Sequence, residues 1–205
     1  MAGGRCARYR KGMRSRLTTW IPALALSTLS ACASVPMKTA PNVDLPRFMG
    51  DWYVLAHIPA PQEKDAWNAV ESYAIRDGTK DVIDTTFKFR QGSFEGALEE
   101  MKPTGYVSEE DPARWGMKFY WWQGPFRFEY LVVHVDPEYR ETVIGRSARD
   151  YVWIMARTPE VSEADWARLE GIVKEAGYDP AKLRRVPQRW GVKPDVSPEE
   201  RYPGG

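Results

Sequence analysis

The chain is poor in the residues that most often carry catalysis and metal binding. Among 205 residues there are two cysteines and two histidines. Both cysteines, Cys6 and Cys32, lie before residue 33. The rest of the chain therefore has no disulfide, no thiolate nucleophile and no cysteine metal site. The histidines, His57 and His134, fall near opposite ends of two strand-like runs, so neither a shared metal site nor a Ser–His relay is expected. A lone His57 imidazole is no haem signature. No Gly-rich phosphate loop occurs. Acidic residues are missing from residues 1–31, which carry Arg5, Arg8, Arg10, Lys11, Arg14 and Arg16. Beyond that segment 23 basic residues face 28 acidic ones, a net charge of −5. An acidic domain is a poor nucleic-acid binder. No apolar run is long and clean enough for a transmembrane helix. These absences point away from an enzyme, a metal or a cofactor, and towards a binding or structural protein.

What is present begins with an address. Residues 5–16 are basic, and residues 17–29 (LTTWIPALALSTL) are apolar with a proline and several hydroxyls. The pattern fits a secretory signal, with Met13 as an alternative start. Leu29-Ser30-Ala31-Cys32 follows and resembles a bacterial lipobox. That resemblance implies a signal peptide over residues 1–31 and acylation of Cys32, with palmitate-type chains. Each chain adds about 0.8 kcal/mol per buried CH₂, so several together hold the protein on a membrane. Ala33 after the cysteine, rather than Asp, implies by the same resemblance the outer membrane, with the domain facing the periplasm. Residues 33–45 (ASVPMKTAPNVDL) read as a tether behind the lipidated Cys32. Residues 46–190 read as the domain and residues 191–205 as a disordered tail.

The domain is dominated by strand signals. Period-two alternation with β-branched and aromatic enrichment predicts strands over residues 50–58, 69–76, 82–89, 93–101, 115–122, 127–135, 139–145 and 150–157. The fourth runs on unevenly towards Val107. One helix follows, capped by Ser162 with Asp165 at the capping-box position. Trp166, Leu169, Val173 and Ala176 form its apolar stripe, and Gly177 ends it. The fold class expected is all-β: an eight-stranded up-and-down antiparallel barrel with one C-terminal helix outside.

Gly50-Asp51-Trp52-Tyr53 opens the first strand, Asp136-Pro137-Glu138-Tyr139 makes a late turn, and Tyr151-Val152-Trp153-Ile154-Met155-Ala156-Arg157 closes the last strand. With Gly124-Pro125-Phe126, these motifs resemble the lipocalins over residues 45–190. The likeness is to the bacterial outer-membrane branch close to apolipoprotein D and the temperature-induced lipocalins. It implies a calyx that binds, and transports or stores, small hydrophobic ligands. It also implies structural roles for Gly50, Trp52, Asp136, Tyr139 and Arg157, with Arg157 lying over the Trp52 indole at the closed end. The turn departs from the common Thr-Asp-Tyr form.

In a meander the first strand leaves the closed end, so alternate loops rim an open mouth. Alternation places Trp52, Val54, Ala56, Phe87, Phe89, Phe119, Trp121, Phe128, Tyr130, Val132, Val143, Tyr151, Trp153 and Met155 inside. Those expected to touch ligand are Phe89, Phe119, Trp121, Arg127, Phe128, Tyr130, Tyr151, Trp153 and Met155. Lys64, Arg90, Arg127, Arg146 and Arg149 outnumber Glu63, Asp65 and Asp150 at the mouth. That balance favours an anionic amphiphile, a fatty acid or lysophospholipid, used in envelope maintenance. The same residues also suit a filled barrel in a structural or interaction lipoprotein. Cavity volume separates the two readings.

Overall fold

The structure, a computed structural model, describes residues 36–190, apart from the side chain of Trp121. The signal peptide, Cys32 and the tail over residues 191–205 lie outside the described residues. Ten strands form one sheet: β1 (Gly50–Ile58), β2 (Ala66–Ile75), β3 (Val82–Gln91), β4 (Leu98–Met101), β5 (Thr104–Val107), β6 (Arg114–Lys118), β7 (Phe128–Val135), β8 (Glu141–Gly145), β9 (Val152–Ala156) and β10 (Arg184–Arg185). Each strand pairs antiparallel with its neighbour, and β1 pairs with β9, which closes the sheet into an up-and-down barrel. Both β4 and β5 pair with β3, so together they make one stave of eight. The stave breaks at Lys102-Pro103, because proline has no N–H for the ladder. Pro103 still serves through its carbonyl, which accepts from the Thr85 N–H at 3.1 Å.

Two apolar clusters divide the strand faces. The inner one contains Trp52, Val54, Tyr73, Ile83, Phe87, Trp115, Met117, Tyr130, Val132, Ile144 and Met155. The outer one contains Tyr53, Leu55, Leu131, Val143, Ile154 and the buried stripe of a helix, Trp166, Leu169 and Val173. Val143 and Ala56, expected inside, belong to the outer cluster. Val143 faces out because its neighbour Ile144 takes the inner face of a regular β8, whereas the register shifts between Val54 and Ala56 on β1, and between Val132 and His134 on β7. A one-residue bulge flips the parity of everything beyond it, which plain alternation cannot anticipate.

Two helices complete the domain, α1 (Leu45–Phe48) and α2 (Glu163–Glu175). The Ser162 hydroxyl accepts from the Asp165 N–H at 3.2 Å and donates to the Asp165 carboxylate at 2.6 Å. Gly177, with φ +90°, ends α2 in the left-handed region that favours glycine. Just beyond it, the Tyr178 hydroxyl accepts from the Arg146 N–H and donates to the Tyr151 carbonyl. The helix end thus fixes the β8–β9 loop. No helix among the described residues is long and apolar enough to cross a membrane.

Part of the expected tether packs against the barrel. Met37, Ala40 and Val43 are buried, and the Ala40 N–H donates to the Val132 carbonyl at 2.8 Å. The Thr39 hydroxyl donates to Asp111, and Asp44 caps α1 by accepting from the Arg47 N–H. The alternation test misses this segment because it pairs with no strand along its length.

The closed end is organised around Trp52, which is fully buried and donates through Nε1 to the Phe48 carbonyl at 2.8 Å. The Arg157 guanidinium lies 3.7 Å from the indole ring. It also donates to the carbonyls of Arg47, Phe48, Met49, Asp51 and Tyr139. A stacked cation contributes about 0.5–2 kcal/mol, and here it also satisfies carbonyls that the turn would leave open. Gly50 has φ +91°, so the chain enters β1 beneath that guanidinium in a conformation other residues resist. In the late turn Asp136 accepts from the N–H groups of Arg140 and Glu141. Tyr139 turns back at φ +57°, and its hydroxyl accepts from the Asp44 N–H.

Candidate functional site

Above the plug the barrel encloses a cavity of about 290 Å³. Phe87, Met117, Tyr130 and Trp153 form its inner walls. Residues 60–63, Phe119, Tyr120, Phe128, Arg146 and Tyr151 form its outer part. These outer residues come from the β1–β2, β6–β7 and β8–β9 connections, so the mouth opens at the end that strand polarity requires. The mouth is apolar. Among the described residues, the exposed large hydrophobics are Phe119, Tyr120, Trp122, Phe126 and Phe128, with Phe126 at 77% and Trp122 at 66% exposure.

The local sequence explains this rim. The strand expected over residues 115–122 stops at Lys118. The Gln123 side chain accepts from the N–H groups of Phe119 and Tyr120, each at 2.7 Å, and Gly124 turns the chain at φ +61°. A 3₁₀ turn over Trp121–Gln123 therefore replaces the strand end and lifts the aromatic residues to the mouth.

Of the nine residues expected to touch ligand, Phe119, Phe128, Tyr130, Tyr151 and Trp153 line the cavity. Phe89 and Met155 are buried in the inner cluster but do not line it. Phe89 packs on Phe87 instead, their ring centroids 5.1 Å apart. Arg127 lies on the outer wall, 3.7 Å above the Tyr106 ring. It also covers Gly116, where a Cβ would come within 2.8 Å of the Arg127 side chain. Its place beside inward-facing Phe128 dictates this, since successive strand residues face opposite ways. The side chain of Trp121 is outside the described set.

Three acids line the cavity that the strand pattern did not single out: Glu129 in its outer part, where it accepts from the Ser147 N–H and hydroxyl, and two buried ones. Glu71 stands opposite Trp52 on one side and Phe87 on the other, so all three point inward. Glu63 arrives from the short 3₁₀ turn over Pro61–Glu63 and folds into the barrel. It accepts from the Ala60 N–H at 3.1 Å and from Trp153 Nε1 at 2.9 Å. Only 4% of Glu63 and 8% of Glu71 is exposed. Burial pushes the Glu63 carboxyl up to about 7, against the hydrogen bonds from Ala60 and Trp153. Burial likewise pushes Glu71 up to about 8, opposed by a bond from Tyr73 and reinforced by the charge of Glu63. Beside them the Tyr73 and Tyr130 hydroxyls share a hydrogen bond. Burial raises both phenols well above their ordinary value. The period-two placement of Ala69, Glu71 and Tyr73 was a signal for Glu71. Glu63 offered none, because a loop carboxylate reads as solvated.

The expected excess of cations at the mouth has a different form. Arg146 pairs with Asp150 at 3.0 Å and lies near the rings of Phe128 and Tyr151. Arg149 donates to the Ala176 carbonyl, Arg90 to Gly96, and Lys64 stands 4.0 Å from Asp65. Each of these cations is engaged, while Glu63 has moved from the rim into the cavity. The histidines stay apart from the site. His57 is fully buried beside Arg184, and burial followed by that charge lowers it to about 3. His134 is lowered too, first by burial. Among the described residues no group of three His, Cys, Asp or Glu side chains is arranged to hold a metal.

A family model described as a lipocalin-like domain matches residues 43–188, which span the whole barrel and α2. The chain is a lipocalin. It is 31% identical over 161 residues to the temperature-induced lipocalin-1 of Arabidopsis thaliana, covering 74% of this chain and 83% of that protein. It is 29% identical over 148 residues to the outer membrane lipoprotein Blc of Escherichia coli K12, covering 72% of this chain and 80% of that one. The insecticyanin structure from the tobacco hornworm Manduca sexta superposes with a TM-score of 0.60 at 14% identity, over 76% of this chain and 86% of that one. In this lipocalin the plug of Trp52 and Arg157 fills one end of the barrel, and the cavity lies above it.

Proposed function

We propose that this lipocalin is an outer-membrane lipoprotein that binds a single-chain amphiphile in its barrel, as a carrier or store rather than an enzyme. The observation that carries the reading is the aromatic-walled cavity of about 290 Å³, open between residues 60–63, Phe119, Phe128 and Tyr151. Its size is at the low end of the ~300–1,000 Å³ usual for ligand sites, which suits one chain better than a broad ring system. A filled barrel is disfavoured, because Phe89 packs sideways on Phe87 and Phe128 stands half exposed at the mouth. Tyr120, Trp122 and Phe126 give an arriving amphiphile its first apolar contacts. Fatty acids and lysophospholipids are the two classes we favour. The engaged cations of the mouth give no preference for an acid head group. The lipobox and the likeness to an outer membrane lipoprotein support the location.

The test is a titration of the full chain carrying Cys32→Ser, which keeps it unacylated, with a fatty acid and with a lysophospholipid. Quenching of tryptophan fluorescence is the readout. Saturable binding is expected to weaken about tenfold in Phe128→Ala, equivalent to ~1.4 kcal/mol, and to weaken in Trp153→Ala. Absence of binding by either lipid to the folded protein would remove this reading in favour of an interaction role.

A further inference from the structure

We propose that the inner end of the cavity binds an ammonium group, carried by an amphiphile that enters polar end first. The inference rests on the cavity being the ligand site and deepens it by naming the charged group. Its starting point is the floor. An amphiphile entering tail first would press its methyl end against the most polar part of the barrel. Glu71 occupies the level of Trp52, next to the plug. Glu63 reaches inward to Trp153, and the Tyr73–Tyr130 hydroxyl pair bridges opposite walls, β2 and β7. The outer part, by contrast, is lined by Phe119, Phe128 and Tyr151 and runs out to Trp122 and Phe126. The buried acids therefore lie inside, whereas the charged groups of the outer part, Glu129 and Arg146, are paired with Ser147 and Asp150.

The inner groups also specify the sign of charge. Both carboxyls are more than nine-tenths buried, and both line the open cavity. The influences on them are burial and hydrogen bonds, from Ala60 and Trp153 to Glu63 and from Tyr73 to Glu71, with the charge of Glu63 also acting on Glu71; no cation of the protein is among these. A buried carboxylate without a cation is costly, and the usual remedies are a proton or a positive partner. Burial raises both carboxyls and so favours their protonated form. An ammonium group replaces that proton with a charge-assisted contact. The rings suit the same guest. Tyr130 and Trp153 stack with centroids 6.2 Å apart beside the acids, and aromatic faces attract quaternary ammonium groups. The one basic side chain lining the cavity, Arg146, belongs to its outer part, where its Nε is buried without a hydrogen-bond partner.

Three probes of one chain length separate the possibilities: dodecyltrimethylammonium, dodecanoate and dodecanol, each below its micelle concentration. They are titrated by tryptophan quenching into the full chain bearing Cys32→Ser, at pH 6 and pH 9. The ammonium probe is expected to bind at least tenfold tighter than the other two at pH 9, and to lose that advantage at pH 6. The groups facing the acids are Tyr73, Tyr130 and, further out, Arg146 and Glu129; the phenols stay neutral over this range. Glu71→Gln and Glu63→Gln should each weaken the ammonium probe about tenfold and leave dodecanol within twofold. Dodecanol also reports that each variant keeps its cavity. Equal binding of all three probes, tighter binding of dodecanoate, or ammonium binding indifferent to both substitutions would overturn the proposal while leaving an apolar ligand site in place. Failure of all three probes to bind would remove the ligand-site reading itself.

Discussion

At the scale of single residues, the chain separates side chains that hold the barrel from side chains that equip it. Trp52 belongs to the first kind: fully buried, hydrogen-bonded and covered by Arg157. Trp52→Ala should cost about 3–5 kcal/mol, as large-to-small core substitutions do, and lower the melting temperature by roughly 10 °C. An unchanged melting temperature would contradict the plug. Glu71 belongs to the second kind. Its carboxyl rises from 4.5 to about 8 in the fold, so the folded state holds a proton that the unfolded chain releases. Stability is then highest below about pH 4.5 as far as this group is concerned, and is lost as pH rises through 8. Glu71→Gln, which stays neutral, should flatten the fall in melting temperature between pH 5 and pH 9 and be the more stable protein at pH 9. Parallel curves for the two proteins would show that Glu71 is not held neutral. Trp52 was legible from its motif and Glu71 from its parity at best. The raised pKa depends on neighbours brought from β1, β3 and β7, which no local pattern contains.

At the scale of elements, alternation identified the strands because their two faces meet different surroundings. One face meets the cavity and inner cluster, and the other meets solvent or α2. Alternation carries no signal where an element is defined by something else. Pro103 split one stave, the Gln123 side chain ended β6 early, and two bulges reversed parity on β1 and β7. The segment over residues 36–43 is the clearest case. It resembles a tether in composition, yet Met37, Ala40 and Val43 are buried against the barrel. Removal of residues 1–44 should therefore lower the melting temperature relative to removal of residues 1–32, since each large apolar side chain buried contributes about 1.5–3 kcal/mol. Equal thermal stability of the two truncated proteins, measured by circular dichroism, would return the segment to the role of a spacer.

At the scale of the whole molecule, the barrel and its proposed anchor pose one question: how an amphiphile passes between a membrane and a closed calyx. Cys32→Ser should abolish incorporation of labelled palmitate and release the protein from the membrane fraction. Label retained by the variant would place acylation elsewhere. The sequence by itself determined the closed barrel, because eight alternating runs with short turns leave few other ways to bury one face of each strand. It also pointed to the plug, through the resemblance of the Gly50, Trp52 and Arg157 motifs to those of the lipocalins. The chemistry of the cavity was decided only by tertiary structure. Whether a carboxylate faces water or the barrel floor depends on how a loop folds and on where a bulge falls. Whether a mouth arginine remains available depends on an aspartate four residues away. Charge counted along the chain suggested an acid-loving mouth, whereas charge placed in space puts two buried acids inside, Glu71 beside the plug and Glu63 folded in from the rim, because burial sets the charge a site accepts and composition does not record burial.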